Sequence, residues 1–180
     1  MGEDMAIVRQ VLGGDVDAFR ALVERHQAGV LGFVGNMIAD RHACEDVAQD
    51  VFVTAFRKLA SFDPARSRFR TWLLVIARSR AVNAIKKKAP ASVAALPERT
   101  DGRDPSDGAM WREVGERLDA ALADLPVRQR LAFVLAEIEQ LSHAEIAQIE
   151  GAKIGTIKSR VSRAKAALRQ ALKDVVGGES

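Results

Sequence analysis

Between Lys153 and Lys173 the chain carries seven cations, Lys153, Lys158, Arg160, Arg163, Lys165, Arg169 and Lys173, and no acid. Cations at this density neutralise phosphates, and Arg can also pair bidentately with guanine. Such chemistry needs a rigid support that presents the cations along one line. The neighbouring residues predict one. Ser142 and Glu145 have capping-box spacing, which predicts a helix start at Ser142. Ala147 is small enough for two helices to cross closely, and Gly151 can take the positive φ of a sharp turn. Ile154, Ile157 and Val161 repeat at steps of three and four, predicting a second helix with one buried face. A helix-turn-helix with a basic second helix fits a DNA major groove. A merely solvated basic face is the plain alternative, and the acid-free run weighs against it.

Two further surfaces lie upstream. Glu45, Asp46, Gln49 and Asp50 fall at i, i+1, i+4 and i+5 on a helix predicted over Glu45–Leu59. They form one acidic ridge beside an apolar stripe of Val47, Val51, Ala55 and Leu59. Acids near a helix start also suit the macrodipole, and an isolated ridge reads equally as a solvated face. From Pro64 to Pro97 there is no acid, while Arg66, Arg68, Arg70, Arg78, Arg80, Lys86, Lys87 and Lys88 follow one another. Phe62, Phe69 and Trp72 are interleaved with them. Arginines among aromatics suit an unstacked single strand, where cations track phosphates and rings receive bases. The alternative keeps Phe69 and Trp72 in a core with arginines at its edge, and for Trp72 the core is favoured.

Composition narrows the class. Apolar residues make up 48% of the 180, enough for a packed core. The net charge is only +3, but its distribution is uneven. Residues 1–88 hold 14 basic and 10 acidic side chains, 89–125 hold 4 and 8, and 126–180 hold 9 and 6. Two basic ends around an acidic middle are expected if both ends meet a polyanion. The single cysteine, Cys44, rules out a disulfide framework and suggests a reducing compartment. The start shows no cationic segment followed by an apolar run, no stretch approaches a membrane span, and Gly2 lacks the hydroxyl that a myristoylation motif wants. A cytoplasmic, soluble protein without membrane insertion is expected. His42 and Cys44, with His26 and His143 elsewhere, match no zinc spacing, so neither metal nor other cofactor is expected. No Gly-rich phosphate loop, nucleophile elbow or paired-carboxylate cleft appears, so the chain is expected not to be an enzyme.

The elements that must position these residues are helices. A first helix is predicted over Met5–Leu12, ending at Gly13-Gly14. A second, capped by Asp15 or Asp17, has Phe19, Leu22, Val23, His26, Val30 and Val34 on one face. Pro64 ends the third, and a fourth runs from about Phe69 to Lys88 with Trp72, Leu73, Ile76 and Ala77 apolar. Residues 89–108, rich in Pro, Gly, Ser and Asp, read as a flexible linker. Val114, Leu118, Ala121, Leu122 and Leu125 then resume helical spacing. Pro126 opens another helix expected to bury Leu131, Val134, Leu135 and Ile138. The expected fold is all-α, with two small bundles over 1–88 and 109–176 joined by the linker.

The segment EDVAQDVFVTAFRKLASFDPARSRFRTWLLVIARSRAVNAIKKK resembles region 2 of bacterial sigma factors, of the short extracytoplasmic-function (ECF) group. The segment ALADLPVRQRLAFVLAEIEQLSHAEIAQIEGAKIGTIKSRVSRAKAALRQAL resembles their region 4. The acidic-Gln ridge, FRTWL, LP-x-x-x-R and GTIKSR occur together in the expected order. The resemblance implies an alternative initiation factor that binds core RNA polymerase and directs it to −10 and −35 promoter elements. Glu45, Asp46, Gln49 and Asp50 would dock on the β′ coiled coil. Asp63, Arg66, Arg68, Phe69, Arg70, Arg78, Ser79, Arg80, Asn83, Lys86 and Lys87 would open and hold the −10 element, with a flipped base between the Asp63–Arg70 loop and Ser79. The second helix would read the −35 element through Lys158, Ser159, Arg160, Ser162 and Arg163, with Thr156 and Lys165 at phosphates. Apolar region 4 surface would meet the β flap, and an anti-sigma factor would clamp the two domains. Ser79 stands where many relatives carry Asn, Leu74 and Val75 replace an aromatic-basic pair, and Lys153 replaces a frequent Pro. Two rivals are a free-standing helix-turn-helix regulator, which leaves the acidic ridge unused, and a sigma mimic that sequesters an anti-sigma protein, which has no need of KSRVSRAK.

Overall fold

The computed structural model describes residues 2–88 and 108–173, with side chains over 2–87 and 114–173, and divides the chain into two compact units, Met1–Ser92 and Val93–Ser180. The expected linker, residues 89–108, lies almost wholly outside the described residues, as do 174–176 at the end of the second bundle. Every regular element described is helical.

In the first unit α1 spans Gly2–Leu12, starting earlier than its apolar pattern suggests, and ends where Gly14 takes φ 109°. Asp15 caps a short 3₁₀ turn, Val16–Ala18, accepting from the Ala18 N–H at 3.3 Å. From there α2 runs over Phe19–Met37. Next, α3 spans Arg41–Arg57 and begins four residues before the sequence-predicted Glu45, because the Asp40 carboxylate accepts from the Ala43 N–H at 3.0 Å. Glu45 and Asp46 therefore lie in the second turn, where the macrodipole does little for them. A 3₁₀ turn at Leu59–Ser61 and a loop lead into α4, Phe69–Lys88.

Helices α2, α3 and α4 pack against one another around Leu22, Phe33, Val34, Met37, Val51, Ala55, Leu73, Ala77 and Ala81, all buried. Cys44 is buried too, its Sγ 3.7 Å from the Leu31 carbonyl oxygen. The Asp4 carboxylate ties α1 to α2, meeting Arg25 at 2.7 Å and His26 at 3.2 Å. The hydrogen bond that Arg25 donates to the Asp4 carboxylate raises the Arg25 pKa above its ordinary value.

In the second unit α5 spans Gly108–Asp124 and α6 spans Val127–Phe133, with Pro126 at its N-cap. The Arg130 guanidinium bonds back to the Ala123 carbonyl and, at 3.5 Å, to that of Leu125, so the Arg of LP-x-x-x-R closes the C-terminus of α5. Burial pushes the Arg130 pKa down, and the Asp124 carboxylate pulls it part of the way back.

The chain continues from α6 into a π-helical turn over Val134–Ile138. The wider turn advances the phase of the apolar stripe. Leu131, Val134 and Leu135 are buried as expected, but Ile138 is 43% exposed and Glu139 goes inward instead. Then come α7, His143–Glu150, and α8, Ile154–Ala171. The capping box forms as the sequence predicts: the Ser142 N–H donates to Glu145 Oε2 at 2.9 Å, and the Glu145 N–H to Ser142 Oγ at 3.2 Å. Gly151 ends α7 in the left-handed region at φ 61°. Ile157, Val161, Ala164 and Leu168 form the buried stripe of α8, whereas Ile154, expected on that stripe, sits at the helix start 46% exposed.

Candidate nucleic-acid interfaces and an acidic ridge

The packing of α8 decides which of its cations can reach a ligand. Its buried stripe faces α5, α6 and α7, which leaves Lys158, Ser162, Arg163 and Arg169 exposed. Thr156 and Ser159 are half-buried, and Ser159 Oγ donates to the Thr156 carbonyl at 2.9 Å. The Thr156 N–H donates to the Lys153 carbonyl at 2.9 Å within the first turn of the helix. Two expected DNA contacts turn back into the domain. Arg160 Nη1 lies 2.7 Å from Glu150 Oε2, with side chains 16% and 0% exposed. Lys165 Nζ lies 2.8 Å from Glu137 Oε2 in a more open position, linking α8 to the π-helical turn.

A second cationic surface forms around α4. The preceding loop is folded by Asp63, whose Oδ1 accepts from the Ala65 N–H at 2.9 Å while its carbonyl accepts from the Arg66 N–H at 3.1 Å. Arg66 and Arg68 of this loop are exposed, as are Arg70, Ser79, Asn83, Lys86 and Lys87 on α4. Ser79, Asn83 and Lys86 share one face with exposed Val75, at steps of four, four and three. Arg78 is half-buried, and Arg80 Nη2 donates to Thr54 Oγ1 at 2.6 Å, fastening α4 to α3. Phe69 does not face a ligand: it is 3% exposed, and its ring lies 5.4 Å from Phe62, 5.5 Å from Trp72 and 5.2 Å from His26. That aromatic cluster braces the first turn of α4 and has no open ring face on Phe69 for a base.

The acidic ridge is on the surface. Glu45, Asp46, Gln49 and Asp50 are all exposed on α3, with Glu45 bonded to Arg41 at 3.0 Å. Val53 and Phe56 continue the ridge at three-residue steps and are 41% and 40% exposed. The Phe56 ring meets Phe19 edge-on at 5.1 Å. Neither was singled out from sequence, because large apolar residues read as core; both nevertheless fall off the stripe of Val47, Val51 and Ala55, which was the available signal. The internal partners Glu150, Thr54 and Glu137 were also missed, since each lies across a turn or on another helix from its cation.

Residues 22–90 match the family Sigma-70 region 2, and residues 115–168 match Sigma-70, region 4. The ECF RNA polymerase sigma factor SigW of Bacillus subtilis (strain 168) is 33% identical over 180 residues, covering 93% of this chain and 96% of the relative. The chain belongs to the ECF sigma factors. Solved structures agree. The sigma factor RpoE in complex with the anti-sigma factor NepR from Bartonella quintana superposes at a TM-score of 0.68 with 28% identity, over 86% of this chain and 96% of that one. CnrH, in complex with the cytosolic domain of CnrY, gives 0.69 with 25% identity, over 94% and 96%. As a sigma factor, the protein binds core RNA polymerase and directs it to promoter DNA, so this ECF sigma factor needs at least one surface for protein and one for nucleic acid. Among the described residues no helix is long and apolar enough to cross a membrane, and no group of three or more His, Cys, Asp or Glu could hold a metal ion.

Proposed function

We propose that this ECF sigma factor docks on the β′ coiled coil of core polymerase through Asp46, Gln49 and Asp50, with Glu45 at the ridge's edge. The observation that carries this reading is the exposure of all four side chains on one face of α3. A basic partner surface would complement it, and Val53 and Phe56 would add apolar contact area to the same interface. Residues 1–88 serve polymerase docking and −10 melting in this reading, and 109–176 serve −35 recognition. The −10 single strand runs along Arg66, Arg68, Arg70, Ser79, Asn83, Lys86 and Lys87, while Phe69 and Arg80 shape that surface from behind. Lys158, Ser162 and Arg163 read the −35 duplex. The protein acts in the cytoplasm as a binding factor without catalysis of its own. An anti-sigma protein holds it inactive, a role supported by the complex in which the RpoE relative was solved.

Gel filtration with core polymerase tests the docking surface. The wild-type chain co-elutes with the core enzyme, and the Asp46→Arg plus Asp50→Arg variant elutes alone with an unchanged melting curve. Equal co-elution of both proteins would move the docking surface elsewhere.

A further inference from the structure

Arg160 stands in the middle of the cationic run on α8, and its charge is not offered outward. It lies three residues after Ile157 and one before Val161, on the edge of the buried stripe. Its guanidinium meets the Glu150 carboxylate at 2.7 Å, and that side chain has no exposed surface. Glu150 is the last residue of α7 and precedes Gly151, the left-handed turn residue. The ion pair thus spans the turn and joins the end of the first helix to the second turn of the recognition helix. A short charge-assisted bond held away from water fixes both partners in direction as well as distance. A guanidinium so engaged would have to part from a fully buried carboxylate to reach a base or phosphate, and breaking a buried ion pair is costly.

We infer that Arg160 is a positioning residue and not a DNA contact: with Glu150 it sets the angle at which α8 presents Lys158, Ser162 and Arg163. The inference rests on α8 being the DNA-reading helix. It divides the KSR sequence into one outward cation, Lys158, and one inward cation, Arg160, although both are basic and lie two residues apart. Affinity and salt dependence then belong to the exposed cations, and Arg160 contributes through the geometry of the turn.

The full-length chain, bound to a fluorescent duplex taken from a promoter that its holoenzyme transcribes, provides the test across a salt series. The Glu150→Leu plus Arg160→Leu variant removes both partners of the pair together. Its expected affinity is lower for every sequence alike, while its slope of log affinity against log salt equals that of wild type and the ranking of single-base changes in the −35 element is kept; an unchanged affinity would overturn the positioning role. Lys158→Ala and Arg163→Ala are each expected to relax preference at a base or, where the cation meets a phosphate, to lower that slope by about 0.9, the value for one phosphate neutralised on duplex DNA. A folded double variant whose slope falls by the same amount, or which loses preference at one base, would overturn the inference. If the double variant does not melt cooperatively, Glu150→Gln plus Arg160→Gln decides. An unchanged slope supports positioning, and a slope lower by about 0.9 would overturn it. Were Lys158→Ala and Arg163→Ala both without effect, α8 itself would not be the reading helix, an outcome distinct from failure of the Arg160 assignment.

Discussion

Removing the Arg130 guanidinium leaves the last carbonyls of α5 without the cation that closes them. A hydrogen bond from a charged donor contributes about 1.5–3 kcal/mol, and Arg130→Ala is expected to lower the stability of the second unit by about that much in urea titrations. A change within experimental error would mean that water replaces the side chain at no cost. Other cations behave similarly at this scale. Arg80 holds Thr54 on α3 and Arg160 holds Glu150 on α7, so a lysine or arginine on a basic helix is as much a strut as a ligand. Lys158, Arg163, Lys86 and Lys87, by contrast, are exposed.

At the scale of single elements, the turn between α7 and α8 carries the clearest expectation. Gly151 sits at φ 61° with nothing within 4 Å of an added Cβ, so Gly151→Ala is penalised by backbone conformation alone and not by a clash. The expected loss is about 1–2 kcal/mol, read from the thermal or urea midpoint. No loss would mean that the turn relaxes to another geometry. This turn was legible in the sequence because all its signals are local: Ser142 and Glu145 three apart, small Ala147, then Gly151. The limits of α4 were legible for the same reason, with Pro64 before it and an unbroken helical period from Phe69. The start of α3 was not, because Arg41, His42 and Ala43 show no amphipathic pattern and the cap at Asp40 has no reciprocal Glu. The π-helical turn at Val134–Ile138 was invisible, since a fixed 3.6 period assumes constant phase and buries Ile138. The pairings Glu150–Arg160 and Thr54–Arg80 span 10 and 26 residues between different helices, which no one-dimensional period reports.

On the scale of the whole molecule, two compact units carry different faces: an acidic-apolar ridge and the cationic α4 on the first, and the cationic α8 on the second. Each cation set is small, and the chain's net charge of +3 gives only modest nonspecific attraction to DNA. Linking two modest binders raises their joint affinity through effective concentration, which suits a factor that must engage two promoter elements at once. Docking on polymerase through Asp46 and Asp50 would make that engagement conditional on the core enzyme. Run-off transcription on genomic fragments from the protein's own source, with core polymerase and with or without this chain, tests the account most directly. Specific new starts with the wild-type chain, lost with the Asp46→Arg plus Asp50→Arg variant, are the predicted result. Starts that persist undiminished in that variant, or no starts with the wild-type chain, would contradict it.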